Sequence, residues 1–223
     1  MEMVSHFGAW ISIVGSKGRE VMKRCFDILA SLLLLIILSP LFAFLSFLVR
    51  QDGGPAIYRQ KRLTRDRQVF QILKFRTMSV CKTDDISIPC VSQVTPSGAP
   101  MRKYHLDELP QLVNILRGEM SFVGPRPERP ELAEKYEQDL PEFALRLKVK
   151  AGLTGYAQVH GEYDTLPAEK ILMDLWYITH PGIWTDVKIM LETAIMLVKL
   201  WIVSSKSSKR QRTDAERGID SNL

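Results

Sequence analysis

The 223 residues predict an α+β fold that is mainly helical and associated with a membrane. Three observations predict it: one long uncharged run near the N-terminus, a strand-like alternation after it, and apolar stripes of helical period through the remainder. The expected membrane element is an N-terminal re-entrant hairpin, a helix broken at Ser-Pro. The expected β element is small. Charged residues make up 25% of the chain and apolar residues 46%, which excludes a disordered chain and a multi-span membrane protein. Cys25, Cys81 and Cys90 form no CxxC spacing. A disulfide framework and a cysteine-rich zinc site are therefore disfavoured, and a reducing compartment fits. The net charge of +5 favours an anionic partner, whether lipid headgroup, phosphorylated substrate or nucleic acid.

Residues 1–21 form an N-terminal extension with no recognisable pattern. From Ile28 to Val49 run 22 residues without a charge, 16 of them Ile, Leu, Phe or Val. As a straight helix this run would be about 33 Å long, close to a bilayer's hydrocarbon thickness. It is long for a signal peptide, and Arg50-Gln51-Asp52-Gly53 is no cleavage site. Basic residues flank it on both sides: Lys17, Arg19, Lys23 and Arg24 before, then Arg50, Arg59, Lys61, Arg62, Arg65 and Arg67. Basic flanks prefer the cytoplasmic side, so a simple crossing would export one cluster. Ser39-Pro40 lies at mid-run, and proline removes a backbone donor and breaks the helix. Ser39 and Pro40 are thus the expected membrane hinge, with Ser39 a candidate partner for backbone groups freed at the break. A re-entrant element over 22–50 is favoured over a single pass, which stays open because kinked helices also span.

Residues 51–204 read as a cytoplasmic domain held at the membrane surface. Gly53-Gly54-Pro55 is a turn. Val69–Arg76 alternates as a strand, with Phe70 and Ile72 on one face and Lys74 and Arg76 continuing it. Residues 79–100, rich in Ser, Thr, Asp, Pro and Gly, read as a long loop. From Leu106 to Gly118, Leu109, Leu112, Val113 and Leu116 make one helical stripe. Pro110 fits its first turn and Gly118 its C-terminal cap. Asp107 and Glu108 then stand at the helix N-terminus, where capping is the simplest role for acids. A catalytic role competes with it. Arg102 and Lys103 lie upstream, and Arg126 sits downstream in the stiff loop Gly124-Pro125-Arg126-Pro127. Arginine grips phosphate with paired hydrogen bonds. Two carboxylates, a divalent metal and converging cations suit phosphoryl transfer. A structural ion pair is the other reading of Arg126.

Four blocks appear in order: Lys74-Phe75-Arg76-Thr77-Met78; Leu106-Asp107-Glu108-Leu109-Pro110-Gln111-Leu112; Gly118 through Pro127; and Gly152-Leu153-Thr154-Gly155-Tyr156-Ala157-Gln158-Val159. From about Met22 to Val203 the chain resembles the bacterial sugar transferases, the monotopic polyprenyl-phosphate phosphoglycosyl transferases. It looks like their minimal catalytic form, without the further helices and N-terminal domain of larger relatives. The resemblance implies transfer of a sugar-1-phosphate from a nucleotide diphosphosugar, usually a UDP-sugar, to polyprenyl phosphate, beginning glycan assembly. It implies Mg²⁺ as cofactor, held at Asp107 and Glu108, and a covalent phosphosugar on the Asp of the Asp-Glu pair. Asp107 would be the nucleophile and Glu108 its acidic partner. Lys74, Arg76, Arg102, Arg126 and Gln158 would bind substrate. The implied location is the bacterial inner membrane with the active domain on the cytoplasmic side.

Toward the C-terminus, Ile171, Leu175 and Ile178 stripe a helix over 168–179, with Asp174 at the border of the buried face. Alone it reads as a boundary carboxylate; the family resemblance adds it to the substrate-binding candidates. Ile183–Val203 is amphipathic at first and then apolar, with Trp201 suited to an interface. Residues 205–223 read as a basic disordered tail. Two departures from the family pattern stand out. Ala151 occupies a place where Pro is common, and His105 one where Ser is common. His160 and His180 lack metal-ligand spacing. The rival readings are a non-catalytic binder of phosphorylated ligands and a single-pass phosphoester hydrolase. The basic residues lack the interleaved aromatics of a nucleic-acid binder. A homo-oligomer is compatible with the sequence, which does not identify the sugar.

Overall fold

The structure is a computed structural model and describes residues 17–79, 93–161 and 165–220, with side chains up to 203. Helix α1 (Lys17–Ile37) and helix α2 (Ser39–Gln51) meet at a bend of 64°. Pro40 has no N–H to offer the Ile36 carbonyl four residues back. The Ser39 hydroxyl donates to that carbonyl instead, at 2.8 Å, so the break leaves its acceptor satisfied. No single helix among the described residues is long and apolar enough to cross a membrane, whereas the bent pair together meets the length and composition required.

The helix pair is two-faced. Ala30, Leu34, Leu35, Leu38 and Phe42 pack on the main core, while Leu29, Leu33, Ile36, Ile37, Phe44 and Phe47 are exposed. Helix α1 starts at Lys17, earlier than the sequence suggests, and its polar first half is bound to the domain. Arg24 donates to the Ile115 and Leu116 carbonyls at 2.6 and 2.7 Å. Lys23 reaches Asp186 at 2.5 Å and Arg19 the Pro181 carbonyl at 3.0 Å. The buried Asp27 accepts from the Ser121 hydroxyl and the Phe122 amide, each at 3.2 Å. Arg19, Lys23 and Arg24 of the basic flank are therefore tied to protein acceptors.

Strands β1 (Ile57–Leu63) and β2 (Val69–Phe75) form an antiparallel hairpin, with Ile57 opposite Phe75 and Leu63 opposite Val69. Its turn uses positive φ at Asp66 and Arg67. The alternation predicts β2, but β1 is masked by its charges, Arg59, Lys61 and Arg62. Arg62 is fastened to the Pro127 carbonyl, Glu128 and Gln60, while Arg59 and Lys61 are exposed. Of the expected 79–100 loop, Met78 bridges Val94 and a short helix α3 (Gly98–Lys103) follows; residues 80–92 lie outside the described residues.

A 3-10 turn (Leu106–Glu108) leads into helix α4 (Gln111–Arg117). Strand β3 (Ser121–Val123) lies parallel to β4 (Gly152–Thr154). Between them run helix α5 (Pro130–Asp139) and a 3-10 segment (Pro141–Lys148). Helices α6 (Tyr156–His160), α7 (Pro167–Thr179) and α8 (Ile183–Asp220) complete the chain. The α7 stripe is buried as its period predicts, with Ile171, Leu175 and Ile178 at 4%, 8% and 1% exposure. Helix α8 buries Ile189 and exposes Trp184, Ile195, Val198 and Trp201. It continues to Asp220, so the tail read as disordered is helical in backbone. From Lys206 to Arg217 it has no Gly or Pro and is rich in Lys, Arg, Gln, Ala and Glu, which favour helix.

Candidate active site

The two carboxylates are set by the turn that precedes α4. His105 takes a left-handed conformation, φ 55°, and swings the chain into the 3-10 turn. Leu106 and Leu109, on either side of the pair, pack against the buried cluster of Leu45, Val49, Ala56, Phe75 and Met101, which also takes Leu41 and Phe42. The residues flanking the acidic pair thus share a core with Leu45 and Val49 of α2. Neither carboxylate caps the helix: no side-chain cap bond is made at either N-terminus, and Pro110 is the residue at the α4 cap. Gly118 closes α4 with φ 87°, as its position in the sequence predicts.

Asp107 and Glu108 are both buried, at 8% and 9% exposure, yet their surroundings differ. Glu108 Oε1 accepts from Lys74 Nζ at 2.6 Å and from Arg126 Nη2 at 2.9 Å. Burial by itself would raise the Glu108 carboxyl; Arg126 and Lys74 outweigh it and hold it down at about 2. Among the described residues Asp107 makes no ion pair. Burial, and then the Glu108 charge, push its carboxyl above the ordinary range, with Lys74 drawing it partly back. One acid is locked as an anion between two cations, and its neighbour remains available.

Lys74 owes its place to Asn114, which is fully buried. The Asn114 amide accepts from Leu73 N–H at 3.0 Å and donates to the Gln71 carbonyl at 2.8 Å and to Glu119 at 2.6 Å. It therefore clamps β2 to α4 and sets the register in which Lys74 meets Glu108. Arg126 is placed by a stack of glycine backbones. A Cβ on Gly124 would lie 2.3 Å from the Lys150 carbonyl, one on Gly152 2.1 Å from Gly124 N, and one on Gly155 2.2 Å from the Gly124 carbonyl. No side chain fits between these segments. Ala151, at a place where Pro is common in the family the sequence resembles, donates its N–H to Thr64 Oγ1 at 3.1 Å, a bond proline could not make. The loop gains an anchor at that point.

Asp174, 1% exposed, pairs with Arg146 Nε at 2.6 Å, and Arg146 Nη2 donates to the Arg126 carbonyl at 3.2 Å. Asp174 thus supports the Arg126 backbone through Arg146, a residue that the sequence reading did not single out. Arg76 is placed differently from a phosphate contact. It is 5% exposed, and its guanidinium donates to the carbonyls of Pro55, Met78 and Val49. It joins the end of α2 to the hairpin. Arg102 is exposed on α3 with Nη2 3.6 Å from Met78 Sδ and pairs with no carboxylate among the described residues. Gln158 donates to the Leu153 carbonyl at 3.1 Å and leaves Oε1 buried beside Gly155, without a partner among the described residues.

Among the described residues no three His, Cys, Asp or Glu side chains converge as a metal cluster. Magnesium commonly takes only one or two carboxylates and completes its shell with water and substrate phosphates. The donor set fits that habit: among the described residues Asp107 makes no ion pair, and Glu108 has one oxygen outside its two ion pairs.

Fold and site together define a helix-mounted α+β domain whose buried carboxylate pair is flanked by cations. The family described as bacterial sugar transferase matches residues 18–200. The chain is 34% identical over 204 residues to an undecaprenyl-phosphate galactose phosphotransferase of Salmonella typhimurium, covering 83% of this chain and 42% of that protein. It is 38% identical over 189 residues to a UDP-glucose:undecaprenyl-phosphate glucose-1-phosphate transferase of Caulobacter vibrioides, covering 80% and 70%. It is 38% identical over 192 residues to the exopolysaccharide production protein ExoY of Sinorhizobium fredii, covering 78% and 84%. The chain belongs to the bacterial sugar transferase family. It matches about two fifths of the length of several relatives, the Salmonella protein among them.

Proposed function

We propose that this chain transfers a sugar-1-phosphate from a UDP-sugar to polyprenyl phosphate at the cytoplasmic face of the bacterial inner membrane. The observation that carries the reading is the asymmetry of the acidic pair, with Glu108 held by Lys74 and Arg126 beside an Asp107 that makes no ion pair among the described residues. The relatives' names, which specify undecaprenyl phosphate and UDP-glucose, support the substrate classes.

In the first half-reaction an Asp107 oxygen attacks the sugar-bearing phosphorus of the donor. The new O–P bond forms as the P–O bond to UMP breaks, and UMP leaves with the electron pair. In the second, an oxygen of polyprenyl phosphate attacks the same phosphorus. The Asp107–P bond breaks, the carboxylate is restored and a polyprenyl diphosphosugar is released. Arg126 and Lys74 neutralise charge on the diphosphate while fixing Glu108, and preorganised cations stabilise the charge that develops in transfer. Mg²⁺ held at Asp107 and Glu108 would supply further charge neutralisation on the phosphates. The bent helix pair dips into the bilayer and returns, holding the acids where a soluble donor and a lipid acceptor both arrive.

The test is UMP release from UDP-sugars without acceptor. The native protein gives a burst of about one UMP per chain, the signature of a covalent step, and Asp107→Asn gives none. An unchanged burst in Asp107→Asn would remove Asp107 from this role. Steady UMP release without acceptor would favour a hydrolase.

A further inference from the structure

A cavity of about 530 Å³ opens beside the first half of α1, where Arg24 and Cys25 line it together with Lys148 and Lys150. Its volume lies in the range of small-molecule sites. It is separate from the acidic pair. Arg24 is bonded to the Ile115 and Leu116 carbonyls at the far end of α4, and Asp107 and Glu108 precede the near end. Seven helical residues amount to about 10 Å.

Six cationic and three acidic residues line the cavity. The acids are already engaged: Asp186 with Lys23, Glu20 with Arg65, and Asp27 with Ser121 and Phe122. Lys148 and Lys150 make no ion pair among the described residues. Burial, and then the nearby charges of Arg24 and Arg65, hold the Lys150 amine below its ordinary value against the weaker opposing pull of Asp27 and Glu20. A half-buried cation crowded by like charges is costly unless an anion joins it. Val123, Val149 and Ile178 give the same cavity an apolar wall.

We propose that this cavity binds a phosphate-bearing anion with an apolar or planar body, with Lys148 and Lys150 as its phosphate contacts. Two sources offer that chemistry, a soluble nucleotide and an anionic lipid headgroup. The site goes beyond the transfer reaction and stands whatever the chemistry at Asp107. Its wall is also the back of the Arg126 loop. The Lys150 carbonyl lies against Gly124, and the Val123 carbonyl accepts from Tyr177 at 3.1 Å. Occupancy would stiffen the loop that carries Arg126.

Cys25 is exposed in the cavity and serves as the reporter. Its alkylation rate is read by peptide mass in the full chain, held in phosphatidylcholine discs for the soluble probes. One arm adds uridine or adenosine monophosphate, with the free nucleosides as controls. The other replaces phosphatidylcholine by phosphatidylglycerol. The expected result is slower Cys25 alkylation in at least one arm and none with nucleosides. Apparent affinity should be weakened about tenfold in Lys150→Gln, the cost of one charge-assisted hydrogen bond, and unchanged in Asp107→Asn. Lys148→Gln gives a second reading should Lys150→Gln not fold. Protection by nucleotides assigns a soluble ligand, and protection by phosphatidylglycerol assigns a lipid headgroup. Failure of every phosphate-bearing probe to slow Cys25 would overturn the proposal. So would protection insensitive to both lysines, or its loss in Asp107→Asn.

Discussion

Glu108 remains ionised across any working pH because two cations share one of its oxygens, whereas for Asp107 the pull of Lys74, a backbone N–H and His105 does not offset burial and the Glu108 charge. The consequence for pH is direct. A nucleophilic carboxylate must be ionised, so donor cleavage should fall as the pH drops through the raised Asp107 value. That acid limb should lie above the ordinary range of an aspartate. Lys74→Gln removes the charge that draws Asp107 down, so the limb should move to higher pH as the maximal rate falls. A pH profile of kcat/KM for UMP release checks both. The stability sign is opposite for Glu108. Its depressed value of about 2 contributes stability that is complete above the ordinary 4.5 and is lost as pH falls toward 2. The amount is roughly 3 kcal/mol. Glu108→Gln should therefore flatten the acid end of a stability curve measured by denaturant. The sequence shows this pair clearly, because acids before a Pro-started helix and an arginine in a Gly/Pro loop are local patterns. It does not show which acid the cations choose, since Lys74, Glu108 and Arg126 meet only in three dimensions. Arg146 and Asn114 were illegible for the same reason: each acts on a residue 20 or more positions away.

At the level of elements, three devices hold the site, and each can be broken singly. The β3–β4 pair depends on bare glycine backbones. A methyl at Gly152 would stand 2.1 Å from Gly124 N, a contact relieved only by moving the Arg126 loop. Gly152→Ala should lose at least about 2 kcal/mol of stability and most activity, measured by thermal unfolding and UMP release. The Arg146–Asp174 pair is the second device. Arg146→Met leaves Asp174 buried without its partner and should cost about 3 kcal/mol, whereas Arg146→Met with Asp174→Asn should recover much of that. The third is the helix break. The Ser-Pro pair was readable because proline's missing donor and the serine hydroxyl are both local chemistry, and they meet at the Ile36 carbonyl. Strand β1 was not readable, because three basic residues obscure its alternation, and its register is set by β2.

For the molecule as a whole, the apolar faces of α1 and α2 and the exposed side of α8 point to a protein that works at a lipid surface. The re-entrant reading requires both ends of the helix pair on one side of the bilayer. Tags placed before Lys17 and after Asp220 should be cleaved by protease from the same side of sealed vesicles. Pro40→Ala, which restores the missing N–H, should weaken that arrangement. On the proposed reaction, Asp107 becomes bonded to phosphorus midway through transfer. The most direct measurement incubates the full chain with UDP-sugar and Mg²⁺ in the absence of polyprenyl phosphate. The chain is then digested under conditions that preserve acyl phosphates, and the peptide containing Asp107 is weighed. That peptide should be heavier by one sugar-phosphate, with the adduct discharged when polyprenyl phosphate is added. A peptide of unchanged mass, from protein that transfers sugar-phosphate normally once acceptor is supplied, would contradict it.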